Sequence, residues 1–151
     1  MSSGRVVEDD AGIAEIVRSM RAVAVIGIKD DADAAAYRIP KALQGRGIRV
    51  IPVNPKLRTV LGEHAYGTIA DVPGRVDVVD VFRRPEAIGE VADAILALPE
   101  DRRPGVVWLQ SGIRNAAAAE RLAAAGLRVV QDRCLMVETV RFRPAGDPGK
   151  A

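Results

Sequence analysis

Residues 23–28 read Val23-Ala24-Val25-Ile26-Gly27-Ile28, an apolar run that never alternates and that meets a glycine near its end. A strand with one wet face alternates; a run without polar positions must be covered on both faces, the condition of a strand inside a parallel sheet flanked by helices. Three further runs, at residues 49–53, 76–82 and 105–110, are nearly continuous in apolar residues without alternating, each rich in Val and Ile and bounded by Gly, Pro or charge. A fifth lies at 127–131. Between the runs come stretches with helical spacing, at 37–46, 85–98 and 115–125. Pro85 and Asn115 supply helix-start chemistry, and Gly47 and Gly126 supply stops. An earlier helix at 10–20 places Ile13, Ile16, Val17 and Met20 on one face, with Asp9 and Asp10 suited to cap its positive end. The repeated order of strand and helix, with right-handed crossovers, predicts an α/β fold. Its sheet is open, doubly wound and mainly parallel, five-stranded or slightly larger, with helices on both faces. Residues 60–73 read as an irregular crossover, and 134–142 fits either a short helix or a strand. One domain over 1–143 and a flexible tail at 144–151 complete the expected organisation.

Composition bounds the function. The chain has 151 residues, 48% hydrophobic and 28% charged, enough for a single core. A net charge of +2 gives no reason to expect polyanion affinity. The aromatics Tyr37, Tyr66, Phe82, Trp108 and Phe142 are scattered, so no stacking platform for single strands forms, and nucleic acid is not an expected partner. The lone Cys134 excludes an internal disulfide, and with the single His64 it is too little for a zinc site. The polar, acidic start and the lack of a long uncharged apolar run make the cytoplasm the expected compartment, with no membrane contact.

Ligands of an open parallel sheet lie beyond the carboxyl ends of its strands, near the point where strand order reverses. Four segments qualify: Gly27-Ile28-Lys29-Asp30, Asn54-Pro55-Lys56, Phe82-Arg83-Arg84 and Gln110-Ser111-Gly112. Gly27 would let backbone N–H groups approach a phosphate, with Lys29 adding charge, or it is a simple tight turn, since the later glycines of a dinucleotide fingerprint are absent. At the second strand end an NAD site needs an acid; Val53-Asn54-Pro55-Lys56 offers an amide and a cation instead. These suit the phosphorylated ribose of NADP or coenzyme A, unless Lys56 and Arg58 simply solvate a loop. Phe82 could pack on an adenine or pantetheine and Arg83 reach a phosphate, or Phe82 is core. Gln110 and Ser111 supply neutral donors and acceptors.

No catalytic constellation emerges. Gly-x-Ser-x-Gly is absent, Cys134 beside Leu135 and Met136 reads as a small buried side chain, and Asp77 and Asp80, three apart in one strand, face opposite sides. Both acids read as hydrogen-bonding near strand ends. No catalytic residue and no metal ligand is assigned, and the protein is expected not to be an enzyme.

Read together, five segments carry a resemblance. They are Ala24-Val25-Ile26-Gly27, Val50-Ile51-Pro52-Val53-Asn54-Pro55, Val78-Val79-Asp80-Val81-Phe82-Arg83, Val107-Trp108-Leu109-Gln110-Ser111-Gly112-Ile113 and Asp132-Arg133-Cys134-Leu135-Met136-Val137-Glu138. The chain resembles the small stand-alone CoA-binding proteins of bacteria, related to the nucleotide-binding domain of the succinyl-CoA synthetase alpha subunit, over roughly residues 11–142. The resemblance implies a Rossmann-type domain holding coenzyme A or an acyl-CoA. Gly27, Ile28 and Lys29 would lie at the pyrophosphate, with Arg38 and Ile39 closing over it. Val53, Asn54, Pro55 and Lys56 would meet the adenosine and its ribose phosphate. Val81, Phe82 and Arg83 would line the crevice, and Gln110 and Ser111 would face the pantetheine arm. Ile28 and Lys29 depart from the small and polar residues usual after the glycine, and Glu138-Thr139 stands where the family often has Glu-His. The synthetase's phosphohistidine belongs to a second domain, which is not expected here, so thioester ligation is not implied. The reading is non-catalytic binding; the alternatives are an NADP-dependent oxidoreductase or a non-binding interaction subunit of a CoA-using enzyme. A protein partner or a homo-oligomer stays open.

Overall fold

The apolar runs become the middle of one sheet. The computed structural model describes residues 4–144. The chain runs through β1 (Arg5–Val6), α1 (Asp10–Ser19), β2 (Ala22–Ile26), α2 (Ala35–Gly45), β3 (Arg49–Val53), β4 (Thr59–Val60), β5 (Glu63–His64) and β6 (Val78–Val81). It continues through α3 (Ile88–Leu96), β7 (Val106–Leu109), α4 (Ala116–Ala124), β8 (Arg128–Val130) and α5 (Leu135–Phe142). The main sheet has six strands in the order β1-β8-β7-β6-β2-β3, and every pairing in it is parallel. The expected tail, Pro144 apart, lies outside the described residues.

The expected double covering follows from the pleat. Side chains of Val23, Val25, Val78, Val106, Trp108 and Val130 join one buried cluster with Ile13, Ile16 and Val17 of α1, Leu43 of α2 and Leu135 of α5. Ala24, Ile51, Val79, Val81, Val107, Leu109 and Val129 point the other way, against Ile88, Val91, Ala92 and Ile95 of α3 and Ala118, Ala119 and Leu122 of α4. Local chemistry sets the helix ends. Asp9 caps α1 by accepting from the Gly12 N–H at 3.1 Å, and Asn115 caps α4 by accepting from the Ala118 N–H at 3.0 Å. Gly47 and Gly126 follow α2 and α4 with φ of 83° and 98°, the left-handed stop that suits glycine.

Some expectations change. Of residues 134–142, Leu135–Phe142 form a helix, with Leu135, Glu138 and Thr139 buried at spacings of three and four. The start of the crossover at 60–73 belongs to an antiparallel ribbon, β4 with β5, whose turn residues Leu61 and Gly62 have φ of 55° and 75°. Asp77 does hydrogen-bond at a strand start, accepting from the N–H groups of Arg21 and Ala22 at 2.9 Å each. Asp80 corrects the expectation for its pair. It lies in the interior of β6 between Val25 and Trp108, 0% exposed, with neither carboxyl oxygen hydrogen-bonded. Burial holds its carboxyl well above the ordinary carboxylate range.

Candidate functional site

Strand order reverses between β2 and β6, since the chain leaves β2 toward β3 on one side and returns to β6 on the other. The carboxyl ends of these strands therefore flank the crevice where an open sheet binds ligands. They are tied to one another through backbone. Gly27 donates its N–H to the Val53 carbonyl at 3.1 Å, and Phe82 donates to the Ile26 carbonyl at 2.9 Å. Gly27 has φ of 85°, and a Cβ built on it would lie 2.3 Å from the Phe82 carbonyl oxygen. The missing side chain thus lets two loops touch at the switch point.

The predicted residues divide by how they are held. Ile28, Val53 and Val81 gather at the crevice, but their side chains are core, so only their backbone can face a ligand there. Asn54 uses its amide internally: Nδ2 donates to the Ile28 carbonyl at 2.7 Å, and Oδ1 accepts from the Lys56 N–H at 2.8 Å. It joins the loop after β2 to the loop after β3. Pro55, Lys56, Lys29, Arg38 and Arg83 are exposed, and Ile39 and Phe82 are half-buried against the cluster under α1, α2 and α5. Arg38 donates from Nη1 to the Asp33 carbonyl, which anchors the approach to α2. Gln110 is 4% exposed, and its Oε1 accepts from the Leu135 N–H at 3.0 Å, so the end of β7 carries the start of α5. Ser111 is exposed just beyond it.

Charge and backbone together make the crevice receptive to an anion. The residue before α2, Ala34, contributes no side-chain cap, leaving the positive end of an eleven-residue helix without a side-chain acceptor. Among the described residues, Lys29, Lys56, Arg83 and Arg84 take part in no ion pair, whereas Arg5, Arg114, Arg121, Arg128, Arg133 and Arg141 do. Asp30, Asp31 and Asp33 stand in the same loop as Lys29 and moderate its field.

Sequence reasoning missed a second feature. Beyond β7 and β8 opens a cleft of about 440 Å³, lined by Ser111, Arg114, Asp132, Arg133, Cys134 and Glu138 among others. Ser111 is the predicted residue that lines it. Asp132, at φ 57°, accepts from the Gly112 N–H at 2.6 Å and from Arg114 at 3.4 Å, and the first of these contacts chiefly holds its carboxyl below the usual range. Glu138 is paired with Arg141 at 2.8 Å and with Arg133 at 3.7 Å. These residues come from separate loops and α5; the Asp132-Arg133-Cys134 run was the available signal. Cys134 is half-buried and lies on the cleft wall. Among the described residues no group of three or more His, Cys, Asp or Glu is placed to hold a metal ion, and no helix is long and apolar enough to cross a membrane.

Similar proteins share this frame. YneT of Bacillus subtilis is 36% identical over 127 residues, 84% of this chain and 91% of its own. The Thermus thermophilus protein cell-free ID.343 superposes with a TM-score of 0.82 at 39% identity, covering 89% of this chain and 99% of that one. A hypothetical protein from Pyrococcus horikoshii gives 0.82 at 31% identity, covering 94% and 99%. The CoA binding domain profile matches residues 21–140, from the approach to β2 into α5, and the chain belongs to that family.

Proposed function

We propose that the protein binds coenzyme A or an acyl-CoA at the β2/β6 switch point, without turning it over, and works in the cytoplasm. The observation that carries this reading is that the family match at 21–140 contains all four strand-end segments gathered at the crevice. The pyrophosphate lies against the loop after Gly27 and the uncapped start of α2, where backbone N–H groups and the helix dipole favour negative charge. Lys56 and Arg83, exposed and in no ion pair among the described residues, meet the ribose phosphate. No acid stands at the end of β3 to hold an unphosphorylated ribose, which weighs against NAD. Gln110 and Ser111 face the pantetheine arm.

Isothermal titration of ligand-stripped protein with CoA, dephospho-CoA, NADP and NAD at one salt concentration tests the reading. Selective CoA binding is expected. Preference for NADP would overturn it in favour of an oxidoreductase. One observation favours a second reading, a subunit that docks on a partner protein: Val137 and Val140, 54% and 49% exposed, stand three residues apart on α5. Binding of none of the four nucleotides would put that reading first.

A further inference from the structure

Pro40 is buried inside α2. Proline is the least favourable residue in a helix interior, because it has no N–H to donate and its ring crowds the carbonyl four residues back. That carbonyl belongs to Ala36, itself only 6% exposed. A buried carbonyl without a partner is destabilising, and water reaches this one poorly. The donor it takes lies outside the helix: the backbone N–H of Lys29, at 3.2 Å, in the loop that follows β2. From the opposite side, the Asn54 amide holds the Ile28 carbonyl at 2.7 Å. Residues 28 and 29 are thus held between α2 and the end of β3.

We propose that Pro40 is a positioning residue for the ligand loop: by vacating one helical hydrogen bond it gives the Ala36 carbonyl to Lys29 and fixes that loop beside the start of α2. The role in ligand binding rests on the CoA reading; the tether itself does not. A proline in this place sacrifices helix stability, and the compensation visible in the structure is a loop that is preformed before a phosphate arrives. Preformed loops bind more tightly because less ordering remains to be done on binding.

Pro40→Ala supplies an N–H at position 40 that competes for the Ala36 carbonyl. Native-state amide exchange on the full chain reads the consequence without any ligand. Protection of the Lys29 N–H is expected to fall about fivefold or more, the equivalent of one ordinary hydrogen bond. The urea midpoint should hold or rise, because alanine favours the helix. A proline with a general structural role would instead move the protection of all slowly exchanging amides together. CoA affinity, measured by titration on the same variant, is expected to fall about fivefold. Unchanged or increased protection at Lys29 overturns the tether. Lost protection with unchanged CoA affinity overturns the positioning role. If the unsubstituted protein binds no CoA, the functional reading fails, while exchange at Lys29 still decides the tether.

Discussion

Replacing Gly27 with alanine puts a methyl group where two loops already touch. Two costs follow from the geometry. At φ of 85° any Cβ strains the backbone, by about 1–2 kcal/mol. The new atom would also lie 2.3 Å from the Phe82 carbonyl oxygen and 3.0 Å from its carbon. Both are backbone atoms at the exit of β6, so relief requires that strand end to move, and overpacking of this kind costs about 1–3 kcal/mol. The sum is about 2–5 kcal/mol. Gly47→Ala is the matched control, since Gly47 has φ of 83° and nothing within 4 Å of a built Cβ; it should lose only the first part. Urea unfolding of both variants beside the parent separates the contact from the strain. A loss at Gly27 exceeding that at Gly47 by about 1–3 kcal/mol is expected. Equal losses would refute the argument that Gly27 is required by the approach of Phe82.

The remaining predictions concern charge. Asp80→Asn should flatten the dependence of stability on pH. Above 3.8, its ordinary value, the unfolded chain releases the proton while burial keeps the native carboxyl protonated. Native stability then falls as pH rises, by about tenfold in the folding constant per pH unit, until the native group ionises as well. Urea unfolding at pH 4.5 and 5.5 should show Asp80→Asn gaining on the parent between the two, by up to about tenfold; parallel behaviour would mean that the buried acid is ionised or partnered. Lys56→Ala and Arg83→Ala should each weaken CoA by about tenfold or more, while dephospho-CoA loses about twofold or less, because a charge-assisted contact to the ribose phosphate vanishes only for the former. Titration giving equal losses for both ligands would remove that assignment.

The parts of the fold readable in advance were those in which a local rule and the tertiary environment agree. Val23 to Ile26 lack polar positions because both faces are covered, and Asp9 and Asn115 precede their helices with cap chemistry that the helix ends use. β1 was invisible for a physical reason: two residues long, it joins the sheet through backbone, with Arg5 donating to Leu127 and Val7, just after it, to Val129. The β4–β5 turn was hidden because Leu61 occupies a positive-φ position where Asn or Gly would announce a hairpin. Asp80 carries no local mark of its burial; it reads like Asp77, yet only Asp77 sits where backbone N–H groups donate to it. At the crevice, strand-end logic named loops that the sheet brings together, but not the direction of each side chain. Val53 and Val81 turn into the core, and Asn54 spends its amide on its neighbours. The cleft beside Cys134 depends on loops brought together only by the β8–β7 pairing and α5.

Coenzyme A is proposed to lie at the switch point, against the loops that end β2, β3, β6 and β7. An amide chemical-shift titration of the labelled chain with CoA tests this residue by residue. The expected result is shifts concentrated at Gly27, Lys29, Ala35, Lys56, Arg83 and Ser111, with the opposite end of the sheet, at Arg75, Gly105 and Arg128, unmoved. Shifts centred on that opposite end, or none anywhere at saturating CoA, would contradict it.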